Sequence, residues 1–260
     1  MGCSISIKVH PEKNSPVYRN KRKTITKDVS TSPLAKFRGS GGTAGFFRDN
    51  TPSHKTAIIV GIDEYVHRWS TLQNARNDAL SLDKMLRKRG FHTVLLLGGE
   101  ATYKRVWKEI EQVHGGTLVL SLHGHGCRGV VSSFVCADSS HDPHDTSDKL
   151  TSDRIRAWSQ RWDGKEFVML ADFCYGGDMV VPTVRTRGAE RTRVVLSAGM
   201  MREKTLDGDQ HSPFTKAILQ VSREKQWNGS IIDMYLRTKQ LANRVKIGRL
   251  PGDEGGDVFL

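Results

Sequence analysis

The chain has 260 residues, of which 37% are hydrophobic, and a formal net charge of +12. This length allows one substantial core, or one domain with an added tail. Four irregularly spaced cysteines (positions 3, 127, 136 and 174) exclude a disulfide framework, and the lack of a Cys-x-x-Cys pair argues against a zinc site. No apolar run reaches the length of a membrane span or resembles a secretory signal, so we expect a reducing, cytosolic setting.

The N-terminal part of the chain is a basic arm without periodic hydrophobicity. Residues 1–50 contain ten lysines and arginines against three acidic residues, and therefore carry +7 of the net charge. The arm is also rich in Ser, Thr, Gly and Pro, which predicts a disordered segment over residues 1–53. It has few aromatic residues and no groove-reading motif, so we do not expect nucleic acid as a partner.

The first residues of this arm predict a membrane anchor. The chain begins MGCSIS, which matches the pattern for N-myristoylation of Gly2, and Cys3 is a candidate for S-palmitoylation. One acyl chain binds marginally, whereas a second chain or a polybasic patch such as Lys21–Lys23 adds firm binding to an anionic membrane surface. We therefore expect a location on the cytoplasmic face of a membrane, most simply the plasma membrane. The alternative is a chance Met-Gly start followed by an ordinary cysteine.

From residue 54 onward, apolar runs typical of strands alternate with segments of helical spacing. Strands are predicted, in chain order, at Ala57–Ile62, Thr93–Leu97, Thr117–Leu122, Phe167–Ala171, Arg193–Ala198 and Val258–Leu260. Continuous apolar strands alternating with helices are typical of a mainly parallel sheet with both faces covered. Residues 54–260 are therefore predicted to form one domain, an α/β/α sandwich of three layers around a six-stranded sheet.

The helices between these strands are predicted from apolar stripes and from one capping signal. The stripes are Leu72, Ala75, Ala79, Leu82 and Leu86; Val106, Ile110 and Val113; and Ile231, Met234, Thr238, Leu241 and Val245. Ser212-Pro213 has the pattern of an N-cap followed by proline at the first helical position, which predicts a helix start there.

Two of the strand-like runs end in glycine-rich turns that carry reactive side chains. TLVLSLHGHG ends with His123 and His125, and FVMLADFCYGG ends with Asp172 and Cys174. Side chains at the ends of parallel strands lie at the rim of the sheet, where open α/β folds bind ligands. A cysteine and a histidine at such a rim indicate a nucleophile activated by a base, although a strand-end cysteine is often only a small core residue.

The order of these segments resembles that of the caspase-like cysteine peptidases, and among them the metacaspases. AIIVGIDEY is similar to the first strand of that family, LHGHG to its histidine motif, DFCYGG to its cysteine motif and VVLSAGMMREKTLDGDQHSPFTKAIL to its late strand and helix. The resemblance covers about residues 55–260 and implies a caspase-like fold. It also implies an endopeptidase in which Cys174 is the nucleophile and His125 the base, with backbone N–H groups of Gly126 and Cys174 holding the oxyanion. His123, where the motif usually has serine, is the rival base.

The resemblance further implies cleavage after Arg or Lys, with protein or peptide substrates as partners. Asp78 and Asp172 match the acidic residues of the family's specificity pocket, and His123 is placed beside them. Two carboxylates suit a guanidinium, which takes bidentate hydrogen bonds. Alone, Asp78 is more simply explained as a helix-surface charge, and the alternative for Asp172 is a turn residue at the strand end. As a pair, they favour a basic P1 residue over the aspartate that caspases choose. Tyr175 and Gly176 stand where the family usually has His and Ser, so the substrate rim differs.

No cofactor is firmly predicted, and we expect a monomer. Calcium activates many metacaspases, and the acidic residues Asp138, Asp142, Asp145 and Asp148 offer oxygen ligands, but a solvated acidic loop explains them equally. Val181 stands where the family has a further aspartate, which weakens the prediction of calcium.

The sequence allows two interpretations of the stretch Arg185–Arg193 and two of the activity of the domain. The stretch Arg185–Arg193 is a candidate for self-cleavage, or is simply an exposed basic loop. The intact Cys174 and His125 favour an active peptidase. The changed flanking residues leave a second hypothesis, a catalytically weak or inactive metacaspase-like protein that acts as a lipid-anchored scaffold.

Overall fold

A computed structural model describes residues 54–179, 191–199 and 210–260. The predicted basic arm, with the acylation sites Gly2 and Cys3, lies outside these residues, as do Val181 and the start of the candidate self-cleavage stretch. Within the described ranges, every helix is too short or too polar to cross a bilayer.

Nine strands and five α-helices make up the described domain. The strands are β1 (Lys55–Gly61), β2 (His92–Leu97), β3 (Thr117–His123), β4 (Gly126–Arg128), β5 (Ser132–Val135), β6 (Lys149–Thr151), β7 (Glu166–Asp172), β8 (Thr192–Ser197) and β9 (Lys246–Arg249). The helices are α1 (Ala75–Arg87), α2 (Tyr103–Glu111), α3 (Ser152–Arg161), α4 (Pro213–Ser222) and α5 (Ile231–Leu241).

The central sheet has six strands in the order β2-β1-β3-β7-β8-β9. The first five run parallel, and β9 pairs antiparallel with β8 at one edge. Strands β4, β5 and β6 form a separate antiparallel sheet that was not predicted, because its members are only three or four residues long.

Helices cover both faces of the central sheet, and the alternation of side chains along each strand explains why. In β1, Ala57 and Ile59 belong to the core that also contains residues of α1, α4 and α5, whereas Ile58 and Val60 belong to the opposite core with residues of α2 and α3. Successive side chains of a strand point to opposite faces, so a continuous apolar run fills two cores. The predicted α/β/α sandwich with a mainly parallel six-stranded sheet is confirmed.

Helix α4 begins where the Ser-Pro pattern predicts. The Ser212 hydroxyl accepts a hydrogen bond from the Thr215 backbone N–H at 3.0 Å, and Pro213 is the first helical residue. The first N–H groups of a helix have no partner within the helix, and the cap satisfies one of them. Proline has no backbone N–H, so Pro213 leaves one fewer N–H group to satisfy.

The predicted last strand at Val258–Leu260 is wrong. Only an isolated bridge between Phe259 and Ser230 forms there, and the sixth strand is β9. Val258 and Leu260 are instead buried side chains of the core beside α1, α4 and α5. β9 escaped prediction because it is a partly exposed edge strand with the polar sequence KIGR.

The prediction that Arg185–Arg193 is an exposed basic loop is wrong at its last residue, Arg193. It lies in β8 and is fully buried, and its guanidinium donates to the carbonyl oxygens of Trp162 at 3.2 Å, Gly164 at 2.7 Å and Lys165 at 3.0 Å. Burial lowers its pKa to about 10. Such a side chain is a structural clamp and cannot enter a protease cleft without unfolding of the strand.

Candidate active site

The register of two neighbouring strands brings the histidine and cysteine motifs together. β3 and β7 pair in parallel, and their last paired residues are His123 and Asp172. His125 and Cys174 each follow two residues later, at the carboxyl end of the sheet. All four residues, with Asp78 from α1, line one cavity of about 640 Å³. The structure thus brings together the site residues that the sequence predicts, and Gly126 lines the same cavity.

His123 is part of the polar core at this edge. It is 1% exposed, its Nε2 lies 2.8 Å from Ser121 Oγ, and its Nδ1 lies 3.2 Å from Asp172 Oδ2. Both ring nitrogens are therefore engaged with neighbouring side chains, as buried polar groups require. This arrangement suits a role in holding Asp172 better than a role in proton transfer.

His125 is half-buried in the cavity wall, and its contacts define its tautomer. Its Nε2 lies 2.6 Å from the carbonyl oxygen of Ser70, which can only accept a hydrogen bond. Nε2 therefore carries a proton, and in the neutral imidazole Nδ1 has the lone pair. Tyr65 and Trp69 pack against the imidazole with ring centroids 5.1 and 5.7 Å away, which fixes its orientation.

Tyr65 holds the backbone of the histidine motif in place through its hydroxyl. Its hydroxyl accepts a hydrogen bond from the His125 backbone N–H at 2.7 Å and donates to the carbonyl oxygen of Ile62 at 3.2 Å. Burial raises the pKa of Tyr65 far above its ordinary value, so the hydroxyl keeps its proton. A Cβ atom on Gly124 would lie 2.6 Å from this hydroxyl, which explains the glycine between the two histidines.

Cys174 differs from the other cysteines of the described domain in its surroundings. It is partly exposed in the cavity, whereas Cys127 and Cys136 are buried. Burial raises the thiol pKa of Cys127 to about 11 and that of Cys136 further still, so both stay protonated and inert. Among these three thiols, Cys174 alone has the access that a nucleophile needs.

The backbone around Cys174 is tightly built. A Cβ atom on Gly126 would lie 2.0 Å from the carbonyl oxygen of Cys174. Only glycine at position 126 therefore lets β4 lie this close to the turn that carries Cys174. Tyr175 has a φ of 63°, in the left-handed region that a non-glycine residue rarely adopts. Strained conformations of this kind cluster at functional sites.

Asp172 contacts its protein partners through one of its two carboxylate oxygens. Its Oδ2 accepts hydrogen bonds from Ser212 Oγ at 2.5 Å and Thr215 Oγ1 at 2.8 Å, besides its contact with His123. Within the described part of the chain all of these contacts use Oδ2, so Oδ1 keeps its capacity to accept from a ligand in the cavity.

Asp78 is the second carboxylate of the cavity and is 2% exposed. Its Oδ1 lies 2.6 Å from His211 Nδ1, and its Oδ2 accepts from the Ser212 backbone N–H at 3.1 Å. Burial raises its pKa to about 7, and the neighbouring Asp172 charge acts in the same direction. The pKa of His211 is lowered, chiefly by burial.

Several residues of this site were not predicted from the sequence. Ser70, Tyr65 and Trp69 come from the irregular segment after β1, where no periodic pattern distinguishes them. Ser212 was predicted only as a helix cap, and His211 beside it not at all. Their roles depend on long-range packing, since His211 and Asp78 are 133 residues apart.

The acidic loop after β5 does not fit a calcium site. Asp145 accepts from Ser140 and Ser147, Asp148 accepts from Lys149 Nζ at 2.9 Å, and Asp138 accepts from the Tyr103 backbone N–H at 2.7 Å. Asp145 and Asp148 therefore serve the loop itself, Asp138 serves the start of α2, and Lys149 lies among the carboxylates. In the described ranges the acidic and histidine side chains that converge closely enough for a metal are Asp78, His123 and Asp172.

Comparison with known proteins decides the family. A family model described as the caspase domain matches residues 54–249, about three quarters of the chain. The chain belongs to the caspase-domain family. Since this is a family of cysteine peptidases, the described domain is a cysteine-peptidase-type domain.

Solved structures agree with the caspase fold. A structural-genomics protein from Geobacter sulfurreducens matches with a TM-score of 0.59 and 17% identity over 75% of this chain and 92% of that one. Caspase-1 from Spodoptera frugiperda matches with a TM-score of 0.55 and 14% identity, covering 77% and 88% of the two chains. The Drosophila initiator caspase Dronc matches with a TM-score of 0.51 and 14% identity, covering 77% and 81%. A search of curated protein sequences finds no match.

Proposed function

We propose that this chain is a cysteine endopeptidase that cleaves after Arg or Lys, with Cys174 as the nucleophile and His125 as the base. One observation carries the proposal: a partly exposed thiol, an oriented imidazole and two carboxylates line a single cavity. A thiol and an imidazole suffice for nucleophilic attack on a peptide carbonyl, and the carboxylates supply the chemistry for a basic side chain.

The proposed reaction follows from the tautomer of His125. Nδ1 takes the proton from the Cys174 thiol, and the carbonyl oxygen of Ser70 stabilises the imidazolium through Nε2. The thiolate attacks the peptide carbonyl, and backbone N–H groups of Gly126 and Cys174 hold the oxyanion. The imidazolium then protonates the leaving amine. Water, activated by the same imidazole, hydrolyses the thioester and releases the second product.

The proposed specificity rests on Asp172 and Asp78. A P1 guanidinium or ammonium in the cavity takes the unused Oδ1 of Asp172 as its first acceptor. Carboxylate oxygens of Asp78 and Asp172 lie within 4.8 Å of each other, a span that a guanidinium can bridge. Two nearby carboxylates repel each other, and a P1 cation relieves this repulsion.

The test is a series of fluorogenic peptides that differ only at P1. Arg and Lys are compared with citrulline, which keeps the shape of arginine without its charge, and with Asp. We expect kcat/KM for Arg to exceed that for citrulline at least 100-fold, because a buried carboxylate left without its partner cation is costly. Equal rates for Arg and citrulline would refute the basic specificity. No turnover of any peptide by a folded protein would favour the scaffold hypothesis.

We further propose that the N-terminal arm tethers the peptidase domain to an anionic membrane surface through acylated Gly2 and Cys3. The support is the MGCSIS start, followed by the basic run Lys21–Lys23. Gly2→Ala blocks both the first and, by loss of membrane access, the second acylation. We expect this variant to move to the soluble fraction of cells, whereas a Ser4→Ala control stays with membranes. A Gly2→Ala protein that stays membrane-bound would contradict the tether.

A further inference from the structure

A second cavity lies away from the active site, between the last turns of α1 and α4. Its volume is about 690 Å³, within the range of small-molecule sites. Its lining consists of Ser81, Lys84, Met85, Lys88, Arg89, Leu219, Ser222, Arg223 and Leu260. Four of these nine residues are cationic and none has an acidic side chain. We call this cavity the cationic groove.

The cations of the groove have no acidic side-chain partner within the described part of the chain. The acidic residues nearest in sequence form ion pairs with arginines that do not line the groove. Asp83 pairs with Arg87 at 2.9 Å, and Glu224 pairs with Arg237 at 2.8 Å. Lys84 and Lys88 are exposed and four residues apart, so they lie on one helix face and repel each other. Cations near a helix C-terminus gain a little from the helix dipole. That gain does not account for the convergence of four of them on one cavity.

Arg89 is fixed in place at the groove wall. Its guanidinium lies over the Trp227 ring, 4.0 Å from the centroid, and donates to main-chain oxygens of Ser222 and Leu260, each at 3.3 Å. Burial lowers its pKa from the ordinary value, and an arginine stays charged at neutral pH in any case. A preorganised guanidinium loses little entropy on binding an anion, unlike a free surface arginine.

We propose that the cationic groove binds a phosphate-bearing ligand with several negative charges, of the size of a pyrophosphate or triphosphate group. Lys84, Lys88, Arg223 and the fixed guanidinium of Arg89 supply positive charge, and the hydroxyls of Ser81 and Ser222 are additional donors. The ligand is a free polyphosphate compound or the phosphorylated headgroup of a lipid, which share this chemistry. The site is independent of the proposed peptidase reaction.

The first experiment measures binding of inorganic tripolyphosphate to the full-length protein by calorimetry and by the shift in Tm. The test variant is Lys84→Gln with Lys88→Gln. The matched control is Lys104→Gln with Lys108→Gln, a pair on α2 that is also exposed and has the same spacing. We expect tripolyphosphate to raise the Tm of the wild type and of the control. We expect its Kd to weaken roughly tenfold or more in the test variant, since each cationic contact typically contributes several-fold. All three proteins keep the basic arm, so binding by the arm cancels in the comparison.

Vesicles separate the two sources of the phosphate. Phosphatidylcholine vesicles with and without a polyphosphorylated inositol lipid are tested for binding in the same three proteins. Loss of lipid-dependent binding in the test variant alone assigns the groove to a headgroup, and loss only of tripolyphosphate binding assigns it to a soluble ligand. Equal affinity of the test variant and the control for both probes would overturn the proposal, as would no binding by the wild type.

Discussion

His123 Nδ1 lies 3.2 Å from Asp172 Oδ2, and the two residues are register partners at the last rung between β3 and β7. The histidine that replaces the serine usual in this motif is therefore the buried neighbour of the carboxylate that we propose to bind the P1 side chain. Both histidines line the cavity, but His125, two residues further along, is the more exposed one and has an unprotonated nitrogen in its neutral form. We therefore propose a structural role for His123 and a chemical role for His125.

Substituting each histidine separately tests this division. His125→Ala is expected to lower kcat on a P1-Arg peptide by a factor of about 10² to 10⁴, the usual contribution of a general base. Its effect on the free energy of unfolding should be small, because His125 is only half-buried. His123→Ala is expected to destabilise the fold by about 1–3 kcal/mol, because Ser121 and Asp172 lose a buried partner.

Kinetics and urea unfolding on both variants supply the measurement. A His125→Ala enzyme that keeps its kcat while His123→Ala loses it without loss of stability would reverse the assignment and make His123 the base.

Ser212 links the cap of α4 to both carboxylates, so its substitution should affect specificity as well as stability. Its backbone N–H donates to Asp78 and its hydroxyl to Asp172. Ser212→Ala is expected to cost about 1 kcal/mol of stability through the lost cap and to raise KM for P1-Arg peptides severalfold. Ser230→Ala is the matched control, because Ser230 caps α5 and does not line the active-site cavity.

Thermal unfolding and Michaelis–Menten kinetics on the two serine variants check this. Equal KM values for Ser212→Ala and Ser230→Ala would show that the hydroxyl at position 212 serves the helix alone.

Asp78 should make the preference for a basic P1 residue depend on pH. Its pKa is raised to about 7, so it gains its negative charge as the pH rises through neutrality. The ratio of kcat/KM for Arg over citrulline is expected to rise between about pH 6 and pH 8, and taking the ratio removes pH effects that are common to both substrates. In Asp78→Asn the ratio should stay flat. A ratio that is equally steep in this variant would exclude Asp78 as its source.

The same shift predicts the sign of a stability change. The folded-state pKa of Asp78 lies above its unfolded value of 3.8, so the fold favours the protonated form. This contribution is fully present below about pH 4 and is lost as the pH rises through about 7. Urea unfolding from pH 4 to pH 8 should therefore show that the stability of the wild type, measured relative to Asp78→Asn, declines as the pH rises. Parallel curves would contradict the raised pKa.

Arg193 limits where self-cleavage can occur. Its guanidinium is buried in carbonyl contacts, so we expect no product that begins at Val194, even in an active preparation. N-terminal sequencing of fragments checks this, with cleavage after the upstream arginines, Arg185 and Arg187, as the expected pattern if processing occurs. A fragment starting at Val194 from folded protein would show that β8 opens.

The sequence predicts the strand ends and the cysteine and histidine motifs because these depend on local patterns. Continuous apolar runs define β1, β3, β7 and β8, and glycine-rich turns mark the rim. The same reasoning misplaces the last strand, because β9 is a polar edge strand whose stability comes from pairing with β8. It also misses Ser70 and His211, since a carbonyl acceptor and an imidazole brought in from 133 residues away leave no local signal.

The most direct test of the central claim is hydrolysis of a short peptide ending in Arg-fluorophore by wild type and by Cys174→Ala. Circular dichroism and Tm are measured on both proteins, so that loss of activity can be separated from loss of the fold. We expect hydrolysis by the wild type that falls to background in the variant, while both proteins stay folded. Equal hydrolysis by the two proteins would exclude Cys174 as the nucleophile. No hydrolysis by either folded protein would contradict the peptidase and favour a membrane-anchored scaffold.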